Sequence, residues 1–173
     1  AWLLAEQRAT AAGILAVTFT NKAAKEMLTR LSTMLPINVR GMWIGTFHGL
    51  CNRFLRAHYK VANLPQTFQI LDMQDQLSSI KRLYKQQMQW FIGGCKEEAM
   101  RPADVPVRDA ESRKKAEIYA LYEEQCQREG VVDFGELMLR SYEILRDHPL
   151  VRQHYQRRFR HILVDEFQDT NRL

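Results

Sequence analysis

Two adjacent carboxylates, Asp165 and Glu166, follow directly on the apolar run Ile162-Leu163-Val164 in the stretch HILVDEFQDTN, residues 161–171. An acid at the C-terminal end of a buried parallel strand lies where open α/β sheets bind ligands. There an Asp can stay ionised against a divalent metal that bridges nucleotide phosphates. A neighbouring Glu, pointing the other way, can orient or deprotonate a water. The same residues also fit a strand that ends in solvated acids, and LVDE alone leaves both readings open. Two further stretches flank an aromatic with small polar donors: TFTN, with Phe19, Thr20 and Asn21, and GTFHG, with Thr46, Phe47 and His48. Channels for single-stranded nucleic acid need aromatic faces for bases and small donors for phosphates. A strand-to-helix junction adds backbone N–H groups. Equally, Phe19 and Phe47 fit a core, Thr20, Asn21 and Thr46 fit helix caps, and His48 fits a hydrogen-bonded structural histidine. Recurrence of the pattern at two successive strand ends weighs for the nucleic-acid reading.

These residues need strands and helices to hold them. Three short apolar runs, 13–19, 41–47 and 161–167, read as strands, and none alternates cleanly, as expected of parallel strands covered on both faces. Between the first two, NKAAKEMLTRLSTML places Ala23, Ala24, Met27, Leu28, Leu31, Met34 and Leu35 on one helical stripe, which makes a βαβ unit. Helical stripes dominate the middle of the chain. Phe47, Leu50, Cys51, Phe54 and Leu55 form one. Asp72 caps a second, carrying Leu77, Ile80, Leu83 and Tyr84. Ile118, Tyr119, Tyr122 and Cys126 form a third that stops at Gly130. Asp133 with Glu136 has capping-box spacing before Leu137, Met138, Tyr142 and Leu145, and Pro149 opens a last short helix. Residues 89–113, with Gly93-Gly94, Pro102 and Pro106, read as loops between helices. The expected fold is α/β: a partial parallel sheet interrupted by an inserted, mostly helical subdomain.

Composition sets wider bounds. The 173 residues are 46% hydrophobic and 26% charged, which suits a globular protein and not a disordered one. The formal net charge of +5 leans weakly toward nucleic acid. Cys51, Cys95 and Cys126 are far apart and odd in number, which favours inert thiols in a reducing cytosol over disulfides or a zinc site. No stretch is long and apolar enough to span a membrane, and the first residues lack the basic start of a signal peptide. The basic run 151–161, with Arg152, Arg157, Arg158 and Arg160, fits the solvated face of a helix more readily than a DNA contact.

VDEFQDTN resembles the Walker B segment (motif II) of the UvrD/Rep family of superfamily-1 DNA helicases. AVTFTNKAAKEM (16–27) resembles its motif Ia, and GTFHGLCNRFLR (45–56) its motif Ib, in the same order. ANLPQTFQILD (62–72) and VVDFGELMLR (131–140) resemble the UvrD branch more than Rep or the RecB-type nucleases. The resemblance implies a RecA-like P-loop fold, with part of motor domain 1A at 1–47, helical domain 1B at 48–159 and a return to 1A at 160–173. It implies that Asp165 coordinates Mg²⁺ with ATP and that Glu166 is the catalytic base. It further implies that Gln168 links the nucleotide site to DNA-bound segments, and that Phe19, Thr20, Asn21, Thr46, Phe47 and His48 line single-stranded DNA. The parent would be a cytoplasmic, nucleoid-associated bacterial enzyme that translocates 3′→5′ and unwinds duplex DNA in repair, with repair proteins as partners.

The chain has eight glycines but no Gly-Lys-Ser or Gly-Lys-Thr, so the backbone-and-lysine cradle that holds phosphates is missing. In the family that loop precedes the residue matching Ala1, so these residues alone are expected to lack ATPase activity and to bind neither Mg²⁺ nor ATP. Relatives carry about a dozen more residues between RLYK and WFI, which leaves 85–92 open. Two other readings stand beside the helicase. One is a metal-dependent nuclease, which needs two or three convergent acids. The other is a non-catalytic DNA-binding or protein-interaction module whose DNA affinity would fall steeply with salt.

Overall fold

The computed structural model describes residues 1–36, 38–39, 41–72, 74–76 and 85–169. The chain divides into two compact units: Ala1–Phe54 with the described residues from Ile144 on, and Leu55–Glu143.

The first unit is built on three parallel strands. β1 (Ile14–Thr18) lies at the centre, β2 (Trp43–Thr46) on one side and β5 (His161–Val164) on the other. Leu15 pairs with Trp43 and Thr18 with Thr46 across one ladder; Ile14 pairs with His161 and Val17 with Val164 across the other. All three strands therefore end at one edge. β1 buries Ile14, Ala16, Val17 and Thr18, as a central parallel strand should. β5 departs from the expected double cover. Its Ile162 is 61% exposed and its Leu163 51%, because β5 has only β1 as a neighbour among the described residues. α1 (Trp2–Ala5) precedes the sheet, α2 (Asn21–Met34) connects β1 to β2, and α3 (Phe47–Ala57) leaves β2 with no intervening loop. The α2 stripe is only partly covered: Ala24 is buried, while Met34 is 65% exposed. α7 (Pro149–Arg158) starts at its proline as expected and packs Tyr155 and Phe159 edge-on against Trp43, with ring centroids 5.7 and 5.3 Å away.

The second unit is helical apart from a two-residue parallel pair, β3 (Gln69–Ile70) with β4 (Val131–Val132). α4 (Lys85–Glu97), α5 (Ala110–Glu129) and the start of α6 (Phe134–Asp147) supply its core. Met88, Ile92 and Cys95 of α4 pack with Val105 and with Tyr119, Tyr122 and Cys126 of α5. The expected loop at 89–113 is thus in part a helix, with Gly93 and Gly94 inside it. A Cβ at either glycine would meet nothing within 4 Å, so both lie away from the packed face, whose burial outweighs the low helix propensity of glycine. Pro102 opens a single 3₁₀ turn, Pro102–Asp104. α5 ends where expected, at Gly130, whose φ of +65° places it in the left-handed region. The Asp72 cap is present, its Oδ1 accepting from the amides of Gln74 and Asp75 at 2.8 Å each. The helix expected to follow, with Leu77, Ile80, Leu83 and Tyr84, lies outside the described residues. The α6 stripe differs in detail: Leu137, Leu139 and Ile144 are buried, while Tyr142 is 41% exposed.

Candidate functional site at the C-terminal edge of the sheet

Every residue singled out for chemistry lies in the first unit, at or just beyond the C-terminal ends of its three strands. Thr20 caps α2, its Oγ1 accepting from the amide of Ala23 at 3.1 Å. Thr46 does the same for α3, accepting from Gly49 N at 3.2 Å. Thr20 and Thr46 are therefore caps as expected, whereas Asn21 is the first residue of α2 and not its cap. Capping uses a lone pair of the hydroxyl and leaves its O–H free to donate elsewhere, so capping and phosphate contact are compatible at both threonines. Phe19 is 38% exposed, and Phe47 is half-buried. Their rings meet with centroids 5.5 Å apart and planes tilted by 59°, an arrangement aromatic pairs favour. Asn21 and His48 are exposed on the first turns of α2 and α3. The protein packed around the imidazole of His48 pushes its pKa below the ordinary histidine value, which favours the neutral ring.

The two acids extend the third strand. The amide of Asp165 donates to the carbonyl of Val17 at 2.9 Å, continuing the ladder one residue past Val164. Its carboxylate is exposed. Glu166 then turns out of the strand direction with a φ of +51°, a left-handed backbone that non-glycine residues seldom adopt. A 3₁₀ turn, Phe167–Asp169, follows, and the side-chain amide of Gln168 donates to Oε2 of Glu166. Neither the left-handed turn nor this hydrogen bond was legible in the sequence.

Among the described residues no group of three or more His, Cys, Asp or Glu side chains could hold a metal by itself. The exposed carboxylates of Asp165 and Glu166 would suit Mg²⁺, which keeps several waters and takes one or two carboxylates with phosphate oxygens.

The acids of the second unit are engaged otherwise. Asp133 caps α6, Oδ1 accepting from Glu136 N at 2.7 Å, but the Glu136 carboxylate does not close a capping box. It binds Lys96 at 2.9 Å, Arg101 at 3.0 Å and Arg140 at 2.7 Å. Lys96 Nζ also reaches Asp133 at 2.9 Å and Glu123 at 2.8 Å, while Tyr122 Oη and Gln76 Nε2 donate to the same Asp133 oxygen. Burial opposes the charge on Lys96, yet Glu136, Asp133 and Glu123 outweigh it and hold its pKa above the lysine range. Burial likewise works against an ionised Glu136, and Lys96, Arg101 and Arg140 carry its pKa well below the carboxylate range. Carboxylates so paired are not open metal ligands. The sequence signal was present: Lys96 follows Met88, Ile92 and Cys95 on the apolar side of α4. A cleft of about 310 Å³ in this unit is lined by Gln87, Met88, Glu111, Lys114, Lys115 and Ile118, none of them an expected site residue. Of the basic run, Arg152 donates to the carbonyls of Leu145 and Arg146, and Arg158 to that of Ala12.

The UvrD/REP helicase N-terminal domain profile matches residues 1–173. The chain belongs to the UvrD/REP helicase N-terminal domain family. It is 47% identical to DNA helicase II of Haemophilus influenzae and 46% identical to that of Escherichia coli, in each case over 100% of this chain and 26% of the relative. It is 35% identical to the ATP-dependent DNA helicase PcrA of Staphylococcus aureus, over 99% of this chain and 25% of that protein. The chain thus spans about a quarter of the length of the curated relatives it matches. The matches to both DNA helicase II proteins run over 189 positions, more than the 173 residues of this UvrD/REP domain, so those relatives carry extra residues inside the matched span. The RecA-like α/β class expected from the sequence agrees with this family and with the parallel sheet. Among the described residues no helix is long and apolar enough to cross a membrane.

Proposed function

We propose that these residues are the N-terminal part of an ATP-dependent DNA helicase that moves 3′→5′ on single-stranded DNA and unwinds duplex in repair. Residues 1–47 and 160–173 are read as part of motor domain 1A and 48–159 as domain 1B, although the two compact units part at Phe54 and Ile144. The observation that carries this reading is the common edge of β1, β2 and β5, where two aromatic–hydroxyl junctions and the Asp165–Glu166 pair end parallel strands in register. Phe19 and Phe47 offer faces for bases, Thr20, Asn21, Thr46 and His48 offer donors for the backbone, and the starts of α2 and α3 add amide dipoles. Asp165 is the residue to hold Mg²⁺, which, bound with ATP, neutralises charge on the transferring phosphate. Glu166 orients and deprotonates the attacking water, and Gln168 lies one turn beyond both. The whole protein works in the bacterial cytoplasm at the nucleoid, with repair proteins as further partners.

The phosphate cradle is not within these 173 residues, so the chain alone does not turn over ATP. The test exchanges residues 1–173 for the matching segment of Escherichia coli DNA helicase II. The chimera is expected to hydrolyse ATP with DNA stimulation, to lose that activity with Glu166→Gln, and to keep its melting temperature. A folded chimera with no DNA-stimulated hydrolysis, or turnover by the 173-residue chain alone, overturns the reading.

A further inference from the structure

Gln168 stands beside the proposed base in a way the family resemblance does not explain. The resemblance gives it a role in communication with DNA. The geometry points to a more local one: we infer that Gln168 is a positioning residue, whose side-chain amide holds the Glu166 carboxylate in the orientation that receives a proton from the hydrolytic water. This inference rests on the helicase reading of the site.

Three observations carry it. The Gln168 amide donates to Oε2 of Glu166, and among the described residues this is the one hydrogen bond made by that carboxylate. One oxygen is thereby tied, and Oε1 keeps its lone pairs for a water. The donor is uncharged, so it orients the carboxylate without competing for its charge as a lysine or arginine would. Next, Glu166 has a left-handed backbone with φ +51°, and the following 3₁₀ turn, Phe167–Asp169, brings the side chain two residues on back toward it. A backbone of this kind persists where its surroundings specify it, and such positions gather at functional sites. Finally, both side chains are exposed. A hydrogen bond between exposed groups adds little to stability, so its removal should leave the fold intact and show in the chemistry.

In the chimera described above, Gln168→Ala is expected to lower kcat roughly tenfold, a fraction of what a general base contributes, with KM for ATP held within about twofold. Gln168→Glu, which removes the donor and adds a like charge, lowers it further. The fall is the same with and without single-stranded DNA, because Gln168 acts through the Glu166 carboxylate. In the 173-residue chain itself, the Gln168 side-chain amide resonance shifts when Glu166 is changed to Ala. A fall confined to the DNA-stimulated rate would assign Gln168 to communication with DNA and overturn the inference, as would an unchanged kcat in an active chimera. An unmodified chimera without ATP hydrolysis removes the helicase reading, and this inference falls with it.

Discussion

The rings of Phe19 and Phe47 meet at 5.5 Å between centroids although 28 positions separate them in the chain. The meeting follows from the ladder: Thr18 pairs with Thr46, so the next residue on each strand is an aromatic, and the two aromatics leave the sheet side by side. Two helices starting from adjacent strands therefore share one aromatic step. Truncating either ring should weaken binding of single-stranded DNA by about 1–3 kcal/mol, the range for a lost base stack. Fluorescence anisotropy with a labelled oligothymidine at low salt reads this, and Phe19→Ala is the cleaner probe because Phe19 is the more exposed. Binding unchanged by both substitutions would remove the pair from the DNA path.

Lys96 is the keystone of the second unit. Replacing it with Met keeps most of the volume but leaves buried Asp133 without a cation and takes one cation each from Glu136 and Glu123, which keep Arg101. Breaking a buried pair from one side costs about 3–5 kcal/mol. Urea denaturation followed by circular dichroism should show a loss of that size for Lys96→Met. Arg101, whose side chain is 22% exposed, should cost less when changed to Met, since Glu123 and Glu143 are partly exposed and buried Glu136 keeps Lys96 and Arg140.

The same cluster sets a pH window. The folded pKa of Glu136 is depressed, so its contribution is complete above the unfolded value of about 4.3 and is lost as pH falls through the folded pKa. The folded pKa of Lys96 is raised, so its contribution is complete below about 10.4 and is lost only as pH climbs through the folded pKa. The helical unit should hold its full stability from roughly pH 5 to about 8.5, above which the buried Cys126 thiol, its pKa pushed up to about 11, begins to favour the unfolded chain. Urea midpoints at pH 7, 5 and 3 test this. Glu136→Gln should be less stable than the parent at pH 7 and should lose less on acidification.

Gly130 should resist substitution more than Gly41. Both have positive φ, +65° and +86°, but a Cβ at Gly130 would sit 2.7 Å from Cγ of Pro65, while one at Gly41 would meet nothing within 4 Å. Gly41→Ala carries only the backbone term of about 1 kcal/mol. Gly130→Ala adds a steric clash at a buried helix end and should cost about 1–3 kcal/mol more. Thermal melts of the two variants, run side by side, settle the order.

Much of the sheet was legible because its cause is local. Short apolar runs ending in Thr-Phe or Asp-Glu mark parallel strands at once, and Thr20, Asp72, Gly130 and Pro149 announce helix boundaries through capping chemistry that involves a few neighbouring residues. What escaped was tertiary. Gly93-Gly94 reads as a break, yet α4 runs through it because Met88, Ile92 and Cys95 are buried against α5. Glu136 has capping-box spacing, but Lys96 and Arg101 from distant positions, with Arg140 one turn on, claim its carboxylate. At the candidate site the residue types and their strand-end positions could be read in advance. The left-handed turn at Glu166 and the hydrogen bond from Gln168 could not, since no residue type there demands either.

Among the described residues β5 is held from one side. β1, between two neighbours, can open only if the unit opens. β5 can detach by releasing a single ladder while Ile162 and Leu163 already face water. Its amides should exchange with solvent sooner than those of β1, at the low end of the local stability scale. Asp165 and Glu166 ride on that strand. A further strand or helix covering Ile162 and Leu163 would therefore steady both acids without touching either one.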